Sequence, residues 1–191
     1  MVQYIPPQTF ITTAVGFACQ DGLLSTDDKV VSFFSPEELS EEISPWLAEM
    51  TVHDLLAMSS GFSLDIRKRI RKRTRKREPD LNWGRETLCS CLMFEPGTQF
   101  HYNSIDSYLV AVIVSEVVGE PMSEYLNHKF FKPLGINKWI WEKSPQGYDC
   151  GGWGQYCVII PEKHAVVATL SHSPNGARML NSVWTNVYDI L

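Results

Sequence analysis

The stretch that most constrains the fold of this chain is the apolar run "IDSYLVAVIVSEVVG", which follows Asn103 and Ser104. Its larger apolar residues recur at helical spacing and form a wide stripe: Tyr108, Leu109, Val112, Ile113 and Val117. Asn103 or Ser104 can cap such a helix, and Gly119-Glu120-Pro121 ends it. The next segment, "MSEYLNHKFF", predicts a second helix, and we expect the two helices to pack together.

Other segments predict helices in the first half of the chain and strands near its end. Helices are expected from Thr9 to a stop at Asp21-Gly22, over 51–61 and over 83–92. Two β-branched runs, "QYCVII" and "AVVATLS", indicate an antiparallel hairpin, because a short turn-forming segment separates them. A two-stranded sheet is marginal in water, so the hairpin needs cover. The apolar spacing over 177–190 predicts a helix laid on that sheet.

The composition favours a single domain over residues 1–191. With 44% hydrophobic and 12% aromatic residues, the chain can bury a core of its own, which excludes a disordered protein. No stretch reaches the roughly 18 consecutive apolar residues of a membrane span, and residues 1–7 lack the features of a secretory signal. We therefore expect a soluble, cytoplasmic protein.

The cysteines and histidines predict no metal site and no cofactor. No C-x-x-C pair and no H-E-x-x-H motif is present, which argues against a disulfide framework and a zinc site. The five cysteines are expected to be buried, reduced thiols: Cys19, Cys89, Cys91, Cys150 and Cys157.

The charge is distributed unevenly along the chain. Nine of the 17 basic residues lie between Arg67 and Arg77, in "RKRIRKRTRKR", so the rest of the chain has 8 basic and 22 acidic residues and a net charge of -14. The run can recruit an anionic partner, such as nucleic acid, a membrane surface or an acidic protein, or act as a nuclear-import signal. The alternative is a solvated loop attracted by the acidic body, which the lack of aromatic residues in the run favours.

Several segments, in register order, resemble the serine β-lactamase-related family of class C β-lactamases, penicillin-binding proteins and related esterases. They are "TAVGFACQDGLLSTDDKV", "MTVHDLLAMSSGF", "EPGTQFHYNSIDSYLVAVIVSEVVGE", "FFKPLGI" and "GQYCVIIPEKHAVVATLS". The resemblance covers most of the chain and implies an α+β fold of the β-lactamase/transpeptidase type. In this chain it implies a helical lobe and a reduced antiparallel sheet packed by a C-terminal helix, with the active site between them.

The resemblance also implies a catalytic site, of which this chain keeps one part. Members of the family carry S-x-x-K with a serine nucleophile, then Tyr-x-Asn or Ser-x-Asn, then Lys-Thr-Gly or His-x-Gly on a strand. Tyr102 matches the tyrosine of the family, and Ser104 stands where asparagine is usual, so these two are the candidate catalytic residues. A phenol without a neighbouring cation has a pKa of about 10 and is a weak base at neutral pH.

The other two elements of that site are missing. The positions that match S-x-x-K hold Ile5-Pro6-Pro7-Gln8, and no lysine in the chain has a serine three residues before it. No Lys-x-Gly or His-x-Gly is present either. The segments that flank this third element in relatives meet here at Gly154-Gln155, which predicts an internal deletion.

Two functions are open from the sequence. The first is that of a serine hydrolase by descent, acting on the ester, amide or β-lactam class, but a pseudoenzyme as this chain because the nucleophile motif is missing. The alternative is a non-catalytic binding protein that recruits a partner through its helical lobe and the basic segment 67–77. A third possibility is a fragment without selected activity, in which an exposed sheet edge favours self-association.

Overall fold

The structure of the chain is a computed structural model. It describes residues 7–139, 141–150, 156–160 and 165–169, and the helical positions 181, 185 and 186. The helices are α1 (Pro7–Gln20), α2 (Pro45–Glu49), α3 (Val52–Leu56), α4 (Leu64–Arg75), α5 (Trp83–Leu88), α6 (Ser104–Val118) and α7 (Met122–Leu126). A 3₁₀ turn, Val30–Phe33, precedes α2, and a π-helical turn, Asn127–Phe131, follows α7. The strands are β1 (Glu142–Lys143), β2 (Asp149–Cys150), β3 (Tyr156–Ile160) and β4 (Ala165–Thr169).

Helix α6 lies at the centre of the core. It contacts α1, α3, α5, α7 and β2, and every residue from 105 to 115 except Ser107 is buried. The sequence predicts an apolar stripe on one side of this helix, whereas the structure buries almost its whole circumference. The difference arises because several separate elements pack around α6, and a periodic pattern within one segment does not report how many neighbours that segment has.

Both ends of α6 form as the sequence predicts. Asn103 is the cap: its Oδ1 accepts a hydrogen bond from Ile105 N at 3.2 Å, and its Nδ2 donates to Phe62 O at 3.1 Å. Gly119 ends the helix with φ at 73°, a left-handed conformation that glycine adopts without steric cost. The expected packing of the second helix against α6 is confirmed, although α7 is only five residues long.

The predicted helices of the first half of the chain begin close to their expected starts. α1 ends at Gln20, directly before its predicted stop, whereas α3 ends at Leu56 and α5 at Leu88, four to five residues earlier than expected. α3 begins after Thr51, whose Oγ1 accepts a hydrogen bond from Asp54 N at 3.3 Å while Asp54 Oδ2 accepts one from Thr51 N at 2.9 Å. This reciprocal pair satisfies two backbone donors that a helix start would otherwise leave unpaired.

The basic run forms a helix, which corrects the expectation of a solvated loop. α4 begins after Ser63, whose Oγ accepts a hydrogen bond from Asp65 N at 3.1 Å, and it buries Ile66 and Ile70 in the core. These isoleucines are four residues apart and therefore lie on one helix face. Arginine and lysine are good helix formers, so a run of them can be helical while its outer face stays in water.

The short strands β1 and β2 pair antiparallel and are tied to α7. The carboxylate of Asp149 is fully buried, and its Oδ1 accepts a hydrogen bond from Lys143 Nζ at 2.5 Å. Its Oδ2 accepts a hydrogen bond from Ser123 N, in the first turn of α7, at 2.8 Å. A negative charge is favourable at this end of a helix, so the contact fixes the strand pair against the helical lobe.

Strands β3 and β4 form the predicted antiparallel hairpin. Tyr156 lies opposite Thr169, and Ile160 lies opposite Ala165. The junction at Gly154-Gln155 lies outside the described residues, as does most of the predicted helix over 177–190. The cover of the hairpin by that helix, and with it the single domain over 1–191, therefore stay predictions.

The described surface bears on two further predictions. Cys19, Cys89 and Cys91 are free thiols. Cys19 is half-buried, but Cys89 and Cys91 are exposed, so the expectation that the cysteines are buried is wrong for those two.

Across the described ranges, each helix is too short or too polar to cross a membrane.

Candidate functional site

Tyr102 lies in a groove of about 340 Å³ that three parts of the helical lobe form together. The start of α1 forms one side, the end of α3 and the residues after it form another, and the segment that leads into α6 forms the third. The lining residues are Gln8, Thr9, Ile11, Thr12, Leu55, Leu56, Met58, Phe100, Tyr102, Ser107 and Val110. Tyr102 is 51% exposed, so its side chain is accessible from solvent.

The residues on either side of Tyr102 hold it in place. His101 N donates a hydrogen bond to Met58 O at 2.7 Å. Asn103 is fully buried and bonds to Phe62 O through its amide group. Backbone and side-chain anchors therefore fix the chain immediately before and after Tyr102, while its ring faces the groove.

Met58 forms part of the groove wall in an unusual backbone conformation. Its φ is 55°, in the left-handed region that residues with a side chain seldom adopt. Such a conformation costs on the order of 1–3 kcal/mol and persists where the surrounding structure enforces it, often at functional sites. Here the carbonyl of Met58 accepts the hydrogen bond from His101, so this backbone geometry sets the position of the segment that carries Tyr102.

The start of α1 supplies neutral polar groups to the groove. Thr12 Oγ1 donates a hydrogen bond to Gln8 O at 2.9 Å, so the proton of this hydroxyl is directed to the helix backbone. None of the described lining residues is a lysine, arginine, histidine, aspartate or glutamate. The lining residues that the structure describes therefore offer hydroxyl and amide groups to a ligand, and no lysine ammonium group is among them.

The two predicted catalytic residues lie on either side of the cap Asn103, and one of them lines the groove. Tyr102 lines the groove, whereas Ser104, the first residue of α6, is not among the lining residues. Ser107 lines the groove instead, together with Val110 one turn further along the same face of α6. Ser107 and Val110 are three residues apart, as are Thr9 and Thr12, and residues at this spacing share one face of a helix. The sequence could therefore have indicated that each pair lines the same surface.

A buried polar cluster lies beneath the segment that carries Tyr102. Ser60 Oγ donates a hydrogen bond to Asp106 Oδ1 at 2.8 Å and accepts one from Phe62 N at 3.2 Å. Burial raises the pKa of Asp106 to about 7, and the hydrogen bond from Ser60 opposes that rise. Asp106 Oδ2 has no hydrogen-bond partner among the residues that the structure describes. No local pattern in the sequence indicates this cluster, because Ser60 and Asp106 are far apart in the chain.

No metal site is evident in the part of the chain that the structure describes. No group of three histidine, cysteine, aspartate or glutamate side chains there is placed to bind an ion.

The fold of this chain is of the β-lactamase/transpeptidase-like class. The family model described as Beta-lactamase matches residues 9–147, which is most of the chain. The chain therefore belongs to the Beta-lactamase family, as its resemblance to that family predicts. The match begins just after the four positions where S-x-x-K is expected.

Solved structures share this fold, and a curated protein is similar over a short segment of the chain. A D-stereospecific amidohydrolase from Streptomyces sp. has a TM-score of 0.55 and 19% identity, covering 68% of this chain and 40% of that chain. The octameric penicillin-binding protein homologue from Pyrococcus abyssi has a TM-score of 0.51 and 24% identity, and the match covers 85% of this chain and 37% of that chain. A protein of Escherichia coli (strain K12), provisionally named as a D-alanyl-D-alanine carboxypeptidase, is 28% identical over 57 residues, or 30% of this chain and 13% of that protein. The chain matches less than half the length of each of these proteins.

Proposed function

We propose that this chain is a pseudoenzyme of the Beta-lactamase family that binds an uncharged ester or amide in the Tyr102 groove without turning it over. The observation that carries the proposal is the composition of the groove. The start of α1 brings Gln8 and Thr9 to the groove that Tyr102 lines. In the family this helix start supplies the lysine of S-x-x-K, and a neutral glutamine cannot replace an ammonium group there.

The chemistry of acyl transfer explains why the site would be inactive. A serine or threonine hydroxyl is a poor nucleophile unless a neighbouring base takes its proton, and an ammonium group makes such a base available at neutral pH. The groove presents the hydroxyls of Thr9, Thr12 and Ser107 with Tyr102, but its described lining contains no cation. In other serine hydrolases, loss of the nucleophile costs on the order of a millionfold in turnover.

The same groove favours an uncharged ligand. Ile11, Leu55 and Val110 are buried apolar residues of its lining, and Phe100, which is 75% exposed, lies on its rim. An acyl chain that covers this surface gains roughly 25 cal/mol for each Å² of apolar area removed from water. A carboxylate would lose hydration without gaining a cationic partner from the described lining, so a neutral ester should bind better than an anionic β-lactam.

We also propose that the chain works in the cytoplasm. Cys89 and Cys91 are exposed free thiols, which are typical of a reducing compartment.

Hydrolysis assays with p-nitrophenyl butyrate and nitrocefin test the absence of turnover. We expect the wild-type protein, the Tyr102→Phe variant and the control variant Tyr148→Phe to hydrolyse both compounds at the same rate, within about twofold of buffer. Tyr148 is a suitable control because its hydroxyl bonds to Glu116, outside the groove. Turnover by the wild type that disappears in Tyr102→Phe and persists in Tyr148→Phe would contradict the proposal.

Thermal melting in the presence of each compound tests ligand binding separately. We expect p-nitrophenyl butyrate to raise the Tm in a concentration-dependent manner and nitrocefin, which is anionic, to raise it less. Equal effects of the two compounds would contradict the preference for a neutral ligand.

A further inference from the structure

Seven of the nine basic residues of the run 67–77 fall into two sets in the structure, and Arg67 and Arg77 at its ends belong to neither. Arg69 and Arg73 form the inner set and bind neighbouring acidic residues. Arg73 Nε lies 2.5 Å from Glu78 Oε2, and Arg73 Nη1 lies 2.5 Å from Glu86 Oε1. Arg69 Nε lies 3.5 Å from Glu86 Oε2. These pairs raise the pKa of Arg73 and attach α4 to α5, so the inner set has a structural role.

The outer set forms two rows on the exposed face of α4. One row holds Lys68, Lys72 and Lys76, and the other holds Arg71 and Arg75. Within each row the residues are four apart, so their side chains follow one another at roughly 6 Å along about 12 Å of helix. The two rows line a shallow cleft of about 430 Å³, which we call the basic cleft.

The basic cleft lies on the solvent side of α4, away from Ile66 and Ile70. Its five residues are exposed, and like charges four residues apart on a helix repel each other. Lys68 pairs with Asp65 at 2.9 Å, but the two side chains are 74% and 82% exposed, so solvent screens this pair. The packing of α4 against the core rests on Ile66 and Ile70, not on the lysines of this stripe, so those lysines are available to a partner.

A surface of opposite charge lies elsewhere on the same chain. The segment 35–43, "SPEELSEEI", carries four glutamates within six residues, and we call it the acidic segment. Glu37, Glu41 and Glu42 are exposed, and Glu38 is partly exposed. Among the described residues, none of these four carboxylates lies within salt-bridge distance of a basic group.

We infer that the basic cleft binds the acidic segment of a second copy of this chain. Five cations over about 12 Å match a compact group of four carboxylates, and arginine can bind a carboxylate through two parallel hydrogen bonds. Trp46 and Ile43, which are 43% and 38% exposed, lie beside the acidic segment and would add apolar contact to the interface.

Other anionic partners fit the surface less well. The rest of the chain carries a net charge of -14, which repels an extended polyanion such as DNA or RNA wherever it runs beyond the cleft. The exposed face of α4 has no aromatic residue for base stacking and no apolar residue to enter a bilayer, since Ile66 and Ile70 are buried in the core.

Sedimentation velocity of the whole chain tests this inference. We expect association at about 20 mM salt that weakens at least tenfold at about 500 mM, where the Debye length falls to a few ångströms. Lys72→Glu with Lys76→Glu removes the attraction from one side, and Glu41→Lys with Glu42→Lys removes it from the other, so each double variant alone should be monomeric. An equimolar mixture of the two should associate again, because each supplies the surface that the other lacks.

A matched control separates the basic cleft from the effect of net charge. Lys132→Glu with Lys138→Glu changes the charge by the same amount on exposed lysines outside α4, and we expect it to associate like the wild type. Thermal melting identifies any variant that fails to fold. A monomeric wild type at low salt, equal loss in the control, or a mixture that stays monomeric would overturn the inference. So would wild-type association accompanied by cleft-dependent binding of duplex DNA or anionic vesicles at lower concentrations.

Discussion

Asp106 is a carboxyl group held inside the core beside the candidate groove. It is fully buried in α6, and Ser60 donates the hydrogen bond that its Oδ1 accepts. Burial disfavours the charged form, which is why the pKa rises from 3.8 to about 7. Because Asn103 and Asp106 occupy the same first turn, the ionisation of this group acts on the turn that positions Tyr102.

This pKa predicts a loss of stability as the pH rises. An acid whose folded pKa is raised stabilises the folded state below the unfolded pKa, and the gain is lost as the pH rises through the folded value. The free energy of unfolding therefore falls over the range from about pH 4 to about pH 7. Between pH 5 and pH 8, Asp106 should lower it by about 3 kcal/mol. Urea denaturation at the two pH values measures it.

The variant Asp106→Asn should remove that pH dependence while keeping the hydrogen bond from Ser60. The exposed Asp27→Asn serves as the control and should retain the wild-type dependence on pH. If Asp106→Asn shows the same fall in stability between pH 5 and pH 8 as the wild type, the assignment of a neutral buried Asp106 is wrong.

Single residues differ in how far the sequence reveals their role. The cap at Asn103 was predictable, because a cap acts within two or three residues of its own position. The burial of Asp106 was not, since it depends on Ser60 and on the elements that surround α6. The strained backbone at Met58 was also missed, because methionine gives no local indication of a positive φ.

At the scale of elements, α4 shows how a few apolar residues determine the position of a charged segment. Ile66 and Ile70 are four residues apart and pack α4 against the core. In the sequence they are difficult to recognise as core residues, because nine basic residues surround or follow them. Nothing in the run itself contradicted a helix, but an expectation based on charge alone gave a loop. Periodicity is the stronger indicator even when only two residues carry it.

Truncation of one isoleucine tests the packing of α4. Ile70→Ala should lower the free energy of unfolding by about 2–4 kcal/mol, because it leaves a cavity in a fully packed site. Lys72→Ala, two residues away on the exposed face, should change it by less than about 0.5 kcal/mol. Chemical denaturation of the two variants measures the difference, and equal effects would show that α4 does not pack as described.

At the scale of the whole molecule, the family was predictable from the sequence, as were α1, α3, α5, α6 and the hairpin, whereas α2, α4, β1 and β2 were not. Ordered segments along most of the chain carry the resemblance, and the hairpin of β3 and β4 forms where two β-branched runs predicted it. The groove was not predictable in detail, because it joins the start of α1, the residues after α3 and the entry to α6. Those contacts exist only once the helices pack around α6.

The proposed loss of activity is compatible with the fold of the groove. Ile11 of α1 and Val110 of α6 are buried apolar residues that line the groove together with Tyr102. The chemistry depends on a nucleophile and an ammonium group at the start of α1, which the sequence lacks. Fold and catalysis therefore rest on separate residues and can be lost separately.

The most direct test of the proposed inactivity is the intact mass of the protein after incubation with a fluorophosphonate probe, which reacts with activated serine and threonine hydroxyls. A denatured sample of the same protein gives the background labelling. The proposal predicts that the folded wild type keeps its unmodified mass, as the denatured sample does, because nothing in the described groove activates Thr9, Thr12 or Ser107. A single stoichiometric adduct on one of these hydroxyls in the folded protein would contradict it.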